Sequence, residues 1–278
     1  MTTRRSFLAA STAAAAGAFI SKGASAADVA TTQLPAKWDA ETDVLVAGSG
    51  IAGMSAAISA LDKGAKVLVM EKGKNYGGCA IINGGIIALG GGTRTQKEHG
   101  VEDSPEKLYK KLTNPAHHEY RKNTPELVKK YSEWCPGTQV WLEEHGVKFL
   151  PTFTRPGKYD SQHHESYHHI WWKDSGEGGR KPQPTGGFMT GRGIMMPYYE
   201  YFTGKGGQIF LEHKVVDVYV NDQGAVVGAK VQKPDGSIMN VKANKGVVLA
   251  GGSWKANPEL RRLTDPVSYT HLTLPTTE

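Results

Sequence analysis

The sequence predicts an α/β fold: a parallel sheet with helices packed on it and a β-meander inserted before the last parallel strand. Three observations carry this. A strand, a glycine-rich turn, a helix and a second strand follow one another from Asp43 to Glu71. Short strands separated by turn residues run from Gln208 to Val241, and an apolar returning strand covers residues 246–250.

Residues 43–47 form a short apolar run with β-branched members, the pattern of a buried parallel strand. In residues 51–63, Ile51, Met54, Ala57, Ile58 and Leu61 recur at spacings of three and four, so this segment reads as a helix with one apolar face, stopped by Gly64. Residues 66–70 are the second strand. Between the first strand and the helix, Gly48, Gly50 and Gly53 stand in G-x-G-x-x-G order, with Ser49, Ile51 and Ala52 filling the turn. The first glycine permits a tight turn, the second lets a pyrophosphate approach the backbone, and the third lets helix and strand pack closely. The helix start aims its unpaired N–H groups at the phosphates. Glu71, followed by Lys72, sits at the end of the second strand, where an acid about 20 residues beyond the glycines accepts a hydrogen bond from a ribose hydroxyl. Together these elements specify a Rossmann-like dinucleotide site; the bland alternative is a glycine-rich turn in a structural unit.

Residues 1–26 have a different character. Arg4-Arg5-Ser6-Phe7-Leu8 precedes an alanine-rich apolar stretch to Ile20 and then Ala24-Ser25-Ala26. A basic start, a short apolar core and an A-x-A site describe an export signal too short to span a bilayer. The paired arginines resemble the twin-arginine export motif, which implies a periplasmic destination for a protein folded with its cofactor. Residues 27–39 read as a linker. The chain's formal charge is +6, but Arg4, Arg5 and Lys22 supply three of those charges and residues 1–26 hold no acid, so the processed chain carries 6 − 3 = +3. That is too little to argue for a nucleic-acid partner. No apolar run is long enough for a stable membrane span. Cys79 and Cys135 form neither a disulfide framework nor a C-x-x-C motif, so no covalently attached haem is encoded in this stretch.

After Glu71, two glycine pairs, Gly77-Gly78 and Gly84-Gly85, bracket five residues, Cys79 to Asn83. Backbone is open to close approach at both ends. An NAD-dependent dehydrogenase has no use for such a segment after its ribose acid. Here the sequence resembles the FAD-binding domain of the fumarate reductase and succinate dehydrogenase flavoprotein superfamily, which includes ketosteroid dehydrogenases and urocanate reductases. The length of the bracketed gap resembles the ketosteroid dehydrogenase branch. The resemblance implies a Rossmann-like FAD-binding domain in which Gly48, Gly50 and Gly53 hold the pyrophosphate and Glu71 the adenosine ribose. Gly78, Cys79, Ala80, Asn83, Gly84 and Gly85 would run beside the ribityl chain and flavin. The flavin-linking histidine of succinate dehydrogenases has no counterpart in this stretch, which implies non-covalent FAD. Cys79 lacks a nearby partner cysteine, so a disulfide-reductase role is unsupported.

Residues 86–95 read as a glycine-rich loop. Ser104-Pro105 opens a helix over residues 106–112, with serine as its cap. A further helix covers residues 124–145, with Leu127, Tyr131, Trp134, Val140 and Leu142 as its apolar positions and Pro136-Gly137 as an interruption. Periodicity then disappears over residues 149–190, where His163, His164, His168 and His169 lie close in sequence. Without cysteines, and with Glu165 the nearest carboxylate, they make no obvious ligand set, and no metal is assigned. A helix over residues 194–203 follows, then strands at 208–211, 215–220, 225–232 and 238–241. In the resembled family, backbone at the start of the meander contacts adenine, which implies Val215 or Val216. The returning strand brings Ala250 and Gly251 beside FAD, although Gly251 and Ser253 depart from the family's threonine and second glycine. Residues 40–266 are therefore read as an incomplete FAD-binding domain without its cap domain. Residues 267–278 instead resemble one reading frame of a transposase sequencing adapter.

The resemblance implies an FAD-dependent oxidoreductase that transfers a hydride between flavin and a C=C or CH–CH bond activated by a carbonyl or carboxylate. The substrate would be a small unsaturated acid or an enone, with a cytochrome or other electron-transfer partner. The alternatives are a non-catalytic FAD-binding carrier and an NAD-dependent dehydrogenase. No catalytic residue is assigned; Arg192 and His168 are the first to probe.

Overall fold

A computed structural model of the chain describes residues 32–116, 124–149, 167–170, 191–253 and 259. The segment read as an export signal, His163, His164, Glu165 and the segment 267–278 lie outside the described residues.

Strand β1 (Ala40–Ala47), helix α1 (Ile51–Leu61) and strand β2 (Val67–Met70) form the expected opening unit. β1 and β2 run parallel, with Val44 opposite Val67 and Ala47 opposite Met70. Strand β5 (Gln208–Phe210) extends the sheet beyond β2, also in parallel. On the other side of β1 lies β8 (Ile238–Leu249), which is parallel to β1 and antiparallel to β7 (Val226–Gln232). Strand β6 (Lys214–Val220) closes the meander, giving the order β5-β2-β1-β8-β7-β6.

The sequence reading divides β8 into two strands at residues 242–245. The structure joins them. The polar stretch Lys242–Lys245 lies across from the acids of β1: Lys242 Nζ is 3.5 Å from Glu41, Asn244 donates to Glu41, and Lys245 Nζ is 3.1 Å from Asp43. These cross-strand pairs support a strand whose side chains are too polar to look like one. A register shift at Asp43 accommodates the extra length.

Alternate β-strand residues serve two cores. Val46, Val67 and Val69 face the helical layer, where Met54, Ala57 and Ile58 of α1 meet Ile194, Met195, Tyr198 and Phe202 of the helix Arg192–Gly204. Leu45, Leu68 and Met70 face the meander residues Ala229, Val231 and Val241. Of the apolar positions read in α1, Ile51 is not in this core: it stands 41% exposed at the helix start.

Between β2 and the closing strands lie α2 (Gly78–Ile81), β3 (Ile86–Ala88), α3 (Arg94–Glu98), α4 (Pro105–Thr113), α5 (Pro125–Glu144) and β4 (Tyr167–His169); the helix Arg192–Gly204 is α6. The expected loop over residues 86–95 is in part the strand β3, which pairs antiparallel with β4 in a second small sheet, Ile87 opposite His168. Its end leads into α3 through a capping box formed by Thr93 and Gln96. Ser104 caps α4 as expected, accepting from the Lys107 amide at 3.2 Å.

Two expectations for α5 are corrected. Pro136 does not interrupt it. The residues buried on either side, Val128, Ser132, Cys135, Gln139 and Leu142, anchor both halves, and this packing outweighs a proline cost of about 3 kcal/mol. The buried stripe is also not the most apolar one. Leu127, Tyr131, Trp134 and Val140 are exposed, while Ser132 and Gln139 are buried because their polar atoms find partners inside. Gln139 accepts from the Thr95 amide at 3.3 Å and donates to Thr95 Oγ1 at 2.5 Å, which joins α5 to α3.

The substitution Gln139→Leu, which leaves the Thr95 groups unpaired in the interior, is expected to cost about 1–3 kcal/mol in urea unfolding. Trp134→Ser, on the exposed face, is expected to change stability by no more than about 0.5 kcal/mol. The reverse order of the two effects would refute the assigned face.

Candidate functional site

The site is built at the carboxyl ends of β1, β2 and β8, where the chain passes from strand to turn. Gly48 has a φ of 104°, and a Cβ there would lie 2.3 Å from the Ala250 carbonyl oxygen. That carbonyl stands against the turn because the Ala250 amide donates to Ala47 O at 2.8 Å. Ala250 and its neighbour Gly251 are thus brought to the first glycine turn, as the returning strand implied. Gly53 is equally confined, since a Cβ there would fall 1.9 Å from Gly48 O. Gly50 is different: among the described residues, no atom beyond its own chain neighbours lies within 4 Å of where its Cβ would be. The space over Gly50 is room for a ligand, beside the first N–H groups of α1, which have no intrahelical acceptor.

The second glycine segment forms the facing wall. Gly77 has a φ of 96° and its amide donates to Ser49 O at 3.1 Å, with Ser49 Oγ at 3.2 Å. A Cβ on Gly78 would lie 3.5 Å from Gly50 Cα, so two chain segments far apart in sequence meet with bare backbone on both sides. Cys79 is exposed in α2. Asn83 closes the segment: its Oδ1 accepts from the Gly85 amide at 2.6 Å, and its carbonyl accepts from the Gly191 amide at 3.1 Å. Gly191 leaves no room for a side chain, because its Cβ would sit 1.9 Å from Ala80 O. That contact seats the start of α6, with Arg192, on the second segment. Arg192 is half-buried, and its charge acts on the Tyr76 hydroxyl nearby.

Glu71 is 9% exposed. Its Oε2 accepts from Ser49 N at 2.9 Å and Ser49 Oγ at 2.7 Å, and its Oε1 accepts from Gly73 N at 2.7 Å. Burial pushes this carboxyl up, but the bonds from the Ser49 hydroxyl, the Ser49 amide and the Gly73 amide together outweigh it. The charge of Lys72 adds to them, and Glu71 is held below the usual glutamate range. The acid read as a ribose acceptor therefore also braces the glycine turn. The turn after β5 clamps the same corner, with His213 N donating to Glu71 O at 2.8 Å and Glu212 N to Gly73 O at 3.0 Å.

Val216, a few residues further on, is 43% exposed and falls at a bulge: Val215 pairs with Val231 and Asp217 with Lys230, leaving Val216 without a partner in the ladder register. Backbone at a bulge is available to a ligand, as the adenine contact requires.

His168 is not brought to the cleft. It is 2% exposed in β4, with Nε2 2.9 Å from Thr93 Oγ1 and its ring edge-on to Phe149. Among the described residues no group of three or more histidine, cysteine, aspartate or glutamate side chains is placed to hold a metal ion.

A buried polar cluster around α3 was missed in the sequence. Gln96 Oε1 accepts from the Gly92 and Thr93 amides, and its Nε2 donates to Asp103 Oδ2, which also accepts from Gly91 N. The Thr93-x-x-Gln96 spacing was its available signal.

The two glycines of the first turn separate fold from ligand. Gly53→Ala is expected to destabilise the protein even without ligand, by at least about 2 kcal/mol. Gly50→Ala is expected to melt like the wild type while binding a dinucleotide at least about tenfold more weakly. Equal effects of the two on ligand-free stability would contradict this assignment.

Residues 43–278 match the family described as FAD binding domain. The acrylate reductase flavoprotein subunit of Shewanella woodyi is 30% identical over 259 residues, 90% of this chain and 47% of the relative. The fumarate reductase (cytochrome) of Shewanella frigidimarina is 29% identical over 225 residues, 81% of this chain and 35% of the relative. Among solved structures, the 3-ketosteroid-Δ4-(5α)-dehydrogenase of Rhodococcus jostii RHA1 superposes with a TM-score of 0.70 at 29% identity, covering 83% of this chain and 50% of that one. The open conformation of a flavocytochrome c3 fumarate reductase gives 0.64 at 28%, covering 84% and 37%. The chain thus spans half or less of the length of these relatives. The open backbone at Gly50, the facing Gly78 and the bulge at Val216 fit FAD, and the nicotinamide alternative is set aside. With its strand order, its two glycine segments and its match over residues 43–278, the chain belongs to the FAD binding domain family.

Proposed function

We propose that the protein is an exported FAD-dependent oxidoreductase that reduces, or forms, a C=C bond activated by a neighbouring carboxylate or carbonyl. The observation that carries this reading is the pairing of two bare backbone segments, Gly50 facing Gly78, with Glu71 at their common corner. Relatives named acrylate reductase flavoprotein subunit, fumarate reductase (cytochrome), urocanate reductase and 3-oxosteroid 1-dehydrogenase support the bond type. Bound FAD would supply the two-electron chemistry. This chain's residues would hold it: the N–H groups at the start of α1 would face the pyrophosphate, Glu71 the ribose, Val216 the adenine, and residues 78–85 the flavin end. Residues 72–85 contain no histidine, which supports non-covalent attachment. Arg192, which follows Gly191 where it packs on that second segment, would orient an acidic substrate. A cytochrome or another electron carrier would exchange electrons with the flavin.

Export by the twin-arginine route to the periplasm is part of the same proposal, supported by Arg4-Arg5-Ser6-Phe7-Leu8 and Ala24-Ser25-Ala26. No helix among the described residues is long and apolar enough to cross a membrane.

The full-length protein, with the cap domain that the resemblance implies, is expected to absorb at about 450 nm, as a flavoprotein does, and to oxidise reduced viologen with at least one of fumarate, acrylate, urocanate or a steroid enone, whereas the 278-residue segment alone is expected to be inactive. A yellow full-length protein inert with all of them in both directions would refute the enzymatic reading and favour the carrier. Replacing Arg4 and Arg5 by lysine is expected to abolish periplasmic accumulation; unchanged export would refute the route.

A further inference from the structure

We propose that the Ser49 hydroxyl is a positioning residue of the nucleotide site, holding the Glu71 carboxylate and the Gly77 amide in place so that the ribose acid and the second glycine segment are set before FAD binds. The proposal rests on the FAD site described above and concerns how that site is preorganised. Ser49 is fully buried. Its single proton is committed to Glu71 Oε2 at 2.7 Å, and its oxygen accepts from Gly77 N at 3.2 Å. A serine hydroxyl has one donor and two acceptor sites, so Ser49 can serve both groups at once; alanine could serve neither.

The count at Glu71 makes the same point from the other side. Its carboxylate offers about four lone-pair sites, and Ser49 N, Ser49 Oγ and Gly73 N occupy three of them. The remaining site, on Oε1, is left for a ribose hydroxyl. Without the Ser49 hydroxyl, Oε2 keeps one donor, the carboxylate is less confined, and Gly77 retains only the bond to the Ser49 carbonyl. The work of aligning both walls then falls on FAD itself, and affinity drops.

Among the described residues, the other titratable groups on the elements packed at this corner include Lys72, Glu212, which is exposed on the turn after β5, and His213. Lys72 adds a favourable charge, and no acid lies in the first turn of α1. His213, on the turn after β5, directs Nδ1 to Leu211 O at 2.7 Å. The hydrogen bonds to Glu71 favour its charged form. A carboxyl held low is fully ionised above the ordinary value of 4.5 and loses its contribution only as pH falls through a lower value. Removing one of its donors moves that loss to higher pH.

The test measures FAD affinity of flavin-stripped protein by calorimetry from neutral pH downward. The wild type is expected to bind with an affinity that stays flat down to about pH 4.5. Ser49→Ala is expected to bind about tenfold more weakly at neutral pH and to lose affinity at a higher pH than the wild type. In a Glu71→Gln background the acid-side step is expected to vanish, and adding Ser49→Ala there to cost less than it does in the wild type, because the part of the loss that passes through the carboxylate is gone while the Gly77 amide still loses its bond to the hydroxyl. Equal losses in both backgrounds with an unmoved acid step would overturn the proposal. Should Ser49→Ala not fold, the wild-type profile still decides: a binding step at or above about pH 4.5 overturns it. Wild-type protein that binds no FAD at any pH would refute the FAD site instead.

Discussion

A buried carboxylate at the end of the second strand sets the geometry of this protein's nucleotide site. Glu71 cannot be taken out of water without donors, and the donors it has are Ser49 and the Gly73 amide. Satisfying it draws the turn after β1 onto the end of β2. Once that turn is fixed, Gly48 must lie against Ala250, Gly53 against Gly48, and Gly77 against Ser49. Each of those close approaches excludes a side chain or needs a left-handed backbone, which is why glycines stand where they do. Within the first turn Gly50 stays open, and that opening is where a ligand would be held.

The larger architecture places this corner. β1 lies between β2 and β8, so the sheet's order reverses direction around it, and ligands of open α/β sheets gather outside the strand ends at such a point. The meander folds onto one face and the helices cover the other, so neither core competes with the cleft for apolar surface. Helix α6 performs two tasks: Met195, Tyr198 and Phe202 fill the helical core, while its first residues seat on Ala80 and Asn83.

The opening unit was legible in the sequence because its signals are local. Apolar runs, glycine spacing and a terminal acid all act within a single strand-turn-helix-strand, and the structure reproduces it apart from Ile51, which a helical period alone assigns to the core. What depended on distant partners was less legible. The polar residues of β8 look like a break until Glu41 and Asp43 are known to lie opposite. The buried face of α5 carries Ser132 and Gln139, whose partners are one turn away in the same helix and on α3. Strand β3 needs β4, some eighty residues later, to exist. At the candidate site, the glycines and Glu71 read from the sequence come together at one corner, but the contacts of Ser49 with Glu71 and Gly77 were not foreseen, since a serine between two glycines carries no signal of what it will touch. His168, one of the two residues to probe first, is packed in the interior against Thr93 and Phe149, a placement that its sequence neighbours do not reveal.

The central claim is that two segments distant in sequence form one FAD-binding surface. Amide hydrogen exchange of the purified protein, with and without added FAD, tests it most directly. FAD is expected to slow exchange together in residues 48–53 and 77–85. Slowing in the first segment alone, or in neither, would contradict the account.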